Sequence, residues 1–272
     1  MTQAPRLRAV LLAAAFGALL GACAAPAPPP QPQPTETRDR ITASDEPEAQ
    51  KRARARMELA SAYFSRGQMT TALDQVKLAI AADPLYGEAF NLRGLIYSNL
   101  GEKTLAEESF KRALQLNARD ADTMHNYAFY LCQQQRYAES NALFNQALAV
   151  PQYRGVARTL FAQGVCYAHA GQLAEAEAAL SRAYELDPTS PFAAINLSEV
   201  LYRRGEFERA RFYVRRVNSQ PEVANAQTLW LAARIENKLG NHQGASEFGA
   251  QLRNRFPDSR EARAFARSAF DE

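Results

Sequence analysis

Small and large apolar side chains recur along this chain in a fixed phase, with polar residues filling the positions between them. Gly67, Gly101, Gly171, Gly205 and Gly240 are separated by 34, 70, 34 and 35 residues, and Gln135 stands where the double gap calls for another glycine. Seven residues before each of these points lies a small side chain: Ala60, Gly94, Ala128, Gly164, Ser198 and Ala233. Five residues after each lies another: Ala72, Ala106, Ser140, Ala176, Ala210 and Ala245. A third small position, at Ala79, Ala113, Ala147 and Ala183, becomes Val217 and Leu252 in the last two blocks. A period of this length predicts one helix pair per block, turning at the glycine.

The reason for the small residues is close approach, because antiparallel helices nest only where side chains are short. Larger residues, among them Tyr63, Tyr97, Phe110, Phe144, Tyr167 and Leu180, fill the space beside those contacts. Pro84, Pro151, Pro188, Pro221 and Pro257 stop most of the second helices. The pattern resembles the tetratricopeptide (TPR) repeat. That resemblance implies an all-α fold: a TPR superhelix of six units over about residues 53–258, within a repeat domain at 51–258, then a capping helix in 259–272. The sixth unit is the least regular, with Glu236 in place of an aromatic or Leu and Gly249 in place of a bulky residue. A degenerate end unit is expected where no further neighbour follows. Ser259 is the expected N-cap of the last helix, which runs to Phe270 and lays Phe265 and Phe270 over the open end.

Composition agrees with helix, being rich in Ala, Leu, Arg, Glu and Gln. The 32 basic and 29 acidic residues are interspersed, for a net charge of +3, which argues against a nucleic-acid binder. Arg52, Arg54 and Arg56, and the pair Arg215 and Arg216, read as solvated helix faces.

The N-terminal region has another character. Arg6 and Arg8 precede an apolar run from Ala9 to Ala22 that is too short for a permanent span, so residues 1–22 read as a secretory signal. The run ends in Leu20-Gly21-Ala22-Cys23, which resembles the bacterial lipoprotein signal and implies acylation of Cys23. Ala24 is not the aspartate that retains such proteins at the inner membrane, so the resemblance implies the periplasmic face of the outer membrane of a Gram-negative bacterium. Residues 23–50, with prolines at 26, 28, 29, 30, 32 and 34, read as an extended tether.

No catalytic constellation is expected, and no cofactor, metal or small-molecule substrate. His125, His169 and His242 have no partners at metal-ligand spacing. Cys132 and Cys166, 34 residues apart on the first helices of units three and four, are either a disulfide or two buried thiols.

The first helices of stacked units should line a groove for a partner polypeptide. Following the phase, its lining is Met57, Ser61 and Phe64 in unit one and Asn91, Leu95 and Ser98 in unit two. It continues through His125 and Phe129, Phe161 and Val165, and Ile195 and Tyr202 in units three to five. Phe64, Leu95 and Phe129 are the expected anchors, since large apolar residues there have no structural need to face water.

The segments His125-Asn126-Tyr127-Ala128-Phe129-Tyr130-Leu131, Gln135-Arg136-Tyr137 and Arg255 to Ala262 are similar to the PilF/PilW family of type IV pilus biogenesis and stability lipoproteins. The likeness covers nearly the whole mature chain. It implies a pilotin, which helps an outer-membrane secretin reach its membrane and multimerise, with the secretin or another pilus-assembly protein as partner. The same anchor and fold would also suit an adaptor for β-barrel insertion or for peptidoglycan enzymes.

Overall fold

The computed structural model describes residues 47–270, which belong to one compact unit, Glu46–Glu272. The signal, Cys23 and the proline-rich tether lie outside the described residues. Among the described residues every regular element is a helix. Six pairs follow in order: α1 (Glu48–Ser65) with α2 (Met69–Ala82), α3 (Gly87–Asn99) with α4 (Lys103–Leu116), and α5 (Ala121–Gln133) with α6 (Tyr137–Leu148). Next come α7 (Val156–His169) with α8 (Leu173–Leu186), α9 (Pro191–Arg203) with α10 (Phe207–Asn218), and α11 (Ala226–Lys238) with α12 (His242–Arg255). The short α13 (Arg260–Ala266) closes the array. The first helix starts at Glu48, directly after Pro47 and three residues ahead of the expected boundary at 51.

Each turn inside a pair uses one left-handed residue. The five turn glycines have φ between +73° and +79°, and Gln135 takes the same role at φ +60°. A side chain with a Cβ is strained there by about 1–2 kcal/mol. Between pairs the chain turns at Asp83, Asn117 and Asp187, whose carboxylate or amide oxygens accept the backbone N–H groups of Leu85, Arg119 and Thr189 at 2.9, 3.1 and 3.2 Å. Asp120, Ser190, Asn225, Asn241 and Ser259 cap the helices that follow them.

The small positions sit where expected. Ala60, Ala72, Ala106, Ala128, Ala176, Ala210 and Ala233 are fully buried. A Cβ on Gly94 would come within 2.7 Å of the Phe110 ring, and one on Gly164 within 2.6 Å of Leu180. Serine at this seam is tolerated because its hydroxyl bonds across it: Ser140 Oγ donates to the Ala128 carbonyl at 2.7 Å and Ser198 Oγ to the Ala210 carbonyl at 2.8 Å.

The sixth unit is specialised rather than degenerate. Glu236 is only 1% exposed, and its Oε1 accepts from Arg215 Nε at 2.9 Å and Nη2 at 2.6 Å, while Asn241 Nδ2 donates to Oε2 at 2.7 Å. Arg215 is therefore no idle surface residue but the partner of a buried carboxylate, joining α10 to α11. Gly249 leaves room for the Phe265 ring, which occupies the volume a side chain at 249 would need. The helix expected to reach Phe270 ends at Ala266, because Ser268 adopts φ +54° and turns the chain back. Phe270 then stacks on Trp230 with ring centroids 5.4 Å apart, and its carbonyl accepts from Arg234 Nε at 3.0 Å.

Two stability predictions follow from this packing. Gln135→Gly should raise the free energy of unfolding by about 0.5–1 kcal/mol, the relieved strain exceeding glycine's added chain entropy; urea denaturation measures it, and a loss would show that Gln135 is unstrained. Gly249→Ala should cost about 1–3 kcal/mol by expelling Phe265. Adding Phe265→Ala should then cost less than it does alone, a coupling read from a double-mutant cycle.

Candidate functional site: the inner groove

The backbones of successive first helices, α1 to α3 to α5 to α7 to α9 to α11, lie close to one another, whereas among the described residues those of successive second helices do not, and α8 and α10 meet only through long side chains such as Glu177 with Arg209 and Tyr184 with Tyr213. The first helices are thus the more closely spaced row and line the inside of the curve, as the periodicity implies.

The structure sorts the expected lining residues into two groups. Met57, Asn91 and Leu95 lie together in a cleft of about 470 Å³ between units one and three, beside Tyr86, Glu88 and Asp122. Phe161 and Ile195 line clefts further along. Ser61 is exposed and Ser98 half-buried, while Phe129 stands 42% exposed on α5. Phe64 and Val165 are half-buried against apolar clusters of their own and neighbouring units.

His125 and Tyr202 do not line the groove. They are 7% and 9% exposed and belong to the packing between units. His125 Nδ1 and Thr159 Oγ1 share a hydrogen bond of 2.9 Å between α5 and α7, and the imidazole meets the Phe144 ring edge-on. The Thr159 hydroxyl is also 2.9 Å from the hydroxyl of Tyr153, which the longer connection between α6 and α7 supplies. Above them the groove rim carries an ion pair, Arg158 Nη2 to Asp122 Oδ1 at 2.5 Å. Tyr202 lies beneath the Arg234 guanidinium, 4.6 Å from its ring centroid.

Cys132 and Cys166 are bonded as a disulfide across α5 and α7, with Cα atoms 5.9 Å apart. Cys132 stands three residues before the turn residue Gln135 and Cys166 five before Gly171, and across this two-position offset the sulfurs still meet. Ser140 Oγ lies 3.4 Å from the Cys166 sulfur, so this junction is packed from α6 as well.

Three groove residues lie beyond the expected set. Phe192 is 69% exposed at the start of α9 and lines two adjacent clefts, of about 470 and 390 Å³. Trp230 and Arg234 extend the lining into unit six. The signal for all three was the repeat phase itself: Phe192 precedes Ser198 by the six residues that separate Asp122 from Ala128, Trp230 occupies in α11 the place of Ile195 in α9, and Arg234 follows Ala233 as Leu95 follows Gly94.

Burial, reinforced by Arg158 and opposed by Asp122, pushes the His125 imidazolium from its ordinary 6.5 down to about 4. The folded chain therefore keeps His125 neutral, while the unfolded chain takes up a proton below about 6.5. Stability should fall as pH drops from about 6.5 towards 4, with up to about 3 kcal/mol of the loss due to this group. Urea titrations of the wild type and His125→Asn should converge over that range; parallel curves would show that His125 is not held neutral.

Models of the tetratricopeptide repeat match residues 39–86, 87–120, 119–189 and 167–229. The type IV pilus assembly protein PilF of Pseudomonas aeruginosa is 26% identical over 209 residues, 77% of this chain and 82% of that protein. The crystal structure of PilW, a widely conserved type IV pilus biogenesis factor, superposes with a TM-score of 0.73 at 33% identity, over 79% of this chain and 98% of that one. A structure of Pseudomonas aeruginosa PilF gives the same TM-score at 24% identity, over 81% and 99% of the two chains. Arrays of this kind are interaction scaffolds, and the chain is not an enzyme. It belongs to the tetratricopeptide repeat family and, within it, to the PilF/PilW family.

Proposed function

We propose that this chain is a lipid-anchored pilotin of the outer membrane that takes part in type IV pilus biogenesis by binding the pilus secretin in its inner groove. The observation that carries the reading is the match to PilW along essentially the whole of that chain. The described residues form stacked helix pairs and one closing helix, and such an array acts through the surface it presents. Here that surface offers Leu95 and Phe129 on neighbouring first helices, in a groove otherwise of mixed polarity.

The anchor is the second half of the reading. No helix among the described residues is long and apolar enough to cross a membrane. Acyl chains on Cys23 would hold the array at the bilayer, each buried methylene adding about 0.8 kcal/mol, and residues 24–47 would give it reach.

Deleting the gene should abolish the heat-stable secretin multimer on an immunoblot and stop twitching motility; intact multimers with normal twitching would defeat the proposal. Cys23→Ser should leave the folded array intact yet displace it from the outer-membrane fraction. Phe129→Asp should lower multimers with little change in stability, since its side chain is largely in water, whereas Leu95 also packs against the apolar clusters of units one to three and is left in place.

A further inference from the structure

We propose that the groove carries a charge-reading subsite at its C-terminal half, centred on Phe192, for a partner segment that bears an apolar side chain with an acidic residue on one flank and a basic residue on the other. This rests on the reading of the groove as a partner-binding surface, and adds to it the chemistry of what is bound.

Phe192 is the most exposed large aromatic on any first helix, at the N-terminal end of α9 just after Pro191. It is a ridge rather than a stray surface residue, because the two clefts meet on it. Towards unit four lies the cleft floored by Phe161; towards unit six lies the one floored by Ile195 and Trp230. Each is within the size range of a site that swallows one or two side chains. A segment laid across the ridge would cover Phe192 and place its apolar residues in both clefts.

The two clefts differ in charge. Three charged residues line the first: Arg158, paired with Asp122, Asp187, whose Oδ1 accepts from the Thr189 N–H and hydroxyl, and Arg154, which among the described residues makes no ion pair or side-chain hydrogen bond, so the cleft is net basic. Glu199 and Glu261 line the second, Glu199 from α9 and Glu261 from α13, and neither has such a partner among the described residues. The cation in that cleft, Arg234, is already engaged by the Phe270 carbonyl and the Tyr202 ring. Some charges elsewhere on the array are paired within it, as Glu107 is with Arg136 and Lys111, and Glu177 with Arg204 and Arg209, and those are not open to a partner in the same way. Unsatisfied charges of opposite sign on either side of an exposed aromatic set both the composition and the orientation of an occupant. The acidic flank of the segment faces Arg154, and the basic flank faces Glu199 and Glu261.

The chain carries its own reporter, since Trp230 is its only tryptophan and lines the second cleft. Three synthetic peptides with the same central Leu and Phe residues serve as probes: one with an acidic and a basic end, one acidic at both ends, one basic at both. Titrated into the folded chain, the mixed peptide should change Trp230 emission saturably and bind at least about tenfold tighter than either other. Phe192→Ala should weaken it about tenfold, with circular dichroism unchanged because the side chain is exposed. Arg154→Glu should transfer preference to the doubly basic peptide, and Glu199→Lys with Glu261→Lys to the doubly acidic one. Equal affinity for all three peptides, or variants that do not switch preference, would overturn the assignment. In cells the two readings separate. If gene deletion leaves secretin multimers intact, the pilotin reading fails. If deletion removes them but Phe192→Ala neither weakens the mixed peptide nor lowers multimers, only the subsite falls.

Discussion

Everything in this fold depends on how near two helix backbones can come. At the seam of each pair the residue is Ala, Gly or Ser, and the partner helix fills the vacated space with one large side chain, as Phe110 does at Gly94 and Leu180 at Gly164. The pairs contribute little individually, because each has an apolar flank that only the next pair can cover. Stacking therefore determines the curvature. The first helices crowd together and the second helices fan apart, so the same small residues that let a pair close also place one row of helices on the inside.

Polar groups are used where apolar packing would not discriminate. The His125, Thr159 and Tyr153 chain ties α5 to α7 through the long connection between units three and four, and the disulfide ties the same two helices a turn or two further on. Glu236 does comparable work between α10 and α11, where a buried carboxylate tolerates only a partner that brings its guanidinium to it. These contacts fix the relative rotation of neighbouring units, which side chains of Ala and Leu leave loosely specified.

The fold was almost wholly legible in the sequence, because close approach leaves a periodic mark that survives replacement elsewhere. Even Gln135 could be placed as a turn residue from its neighbours' spacing, although nothing in glutamine itself favours φ +60°. The groove was half legible. Phase alone separates inward from outward faces, but it cannot say whether an inward residue meets solvent or the adjacent unit; His125 and Tyr202 fell on the wrong side of that line. Arg215 was missed for another reason, since its partner lies 21 residues away and depends on a three-dimensional neighbour that a one-dimensional repeat does not encode. Ending the groove at unit five hid Trp230, and omitting one position of the period hid Phe192.

Phe265 lodged against Gly249 has a consequence for the number of repeats. Solenoids ordinarily lengthen by duplication, since every unit ends in a surface ready to receive a copy of itself. Here that receiving surface is occupied by the chain's own tail, wedged into a gap made by a missing side chain and held from above by Trp230. A seventh pair added after the sixth would have to evict the plug and restore a bulky residue in the same step. The array thus carries a built-in ruler, and the span of its groove is a fixed property that a partner can be shaped to match.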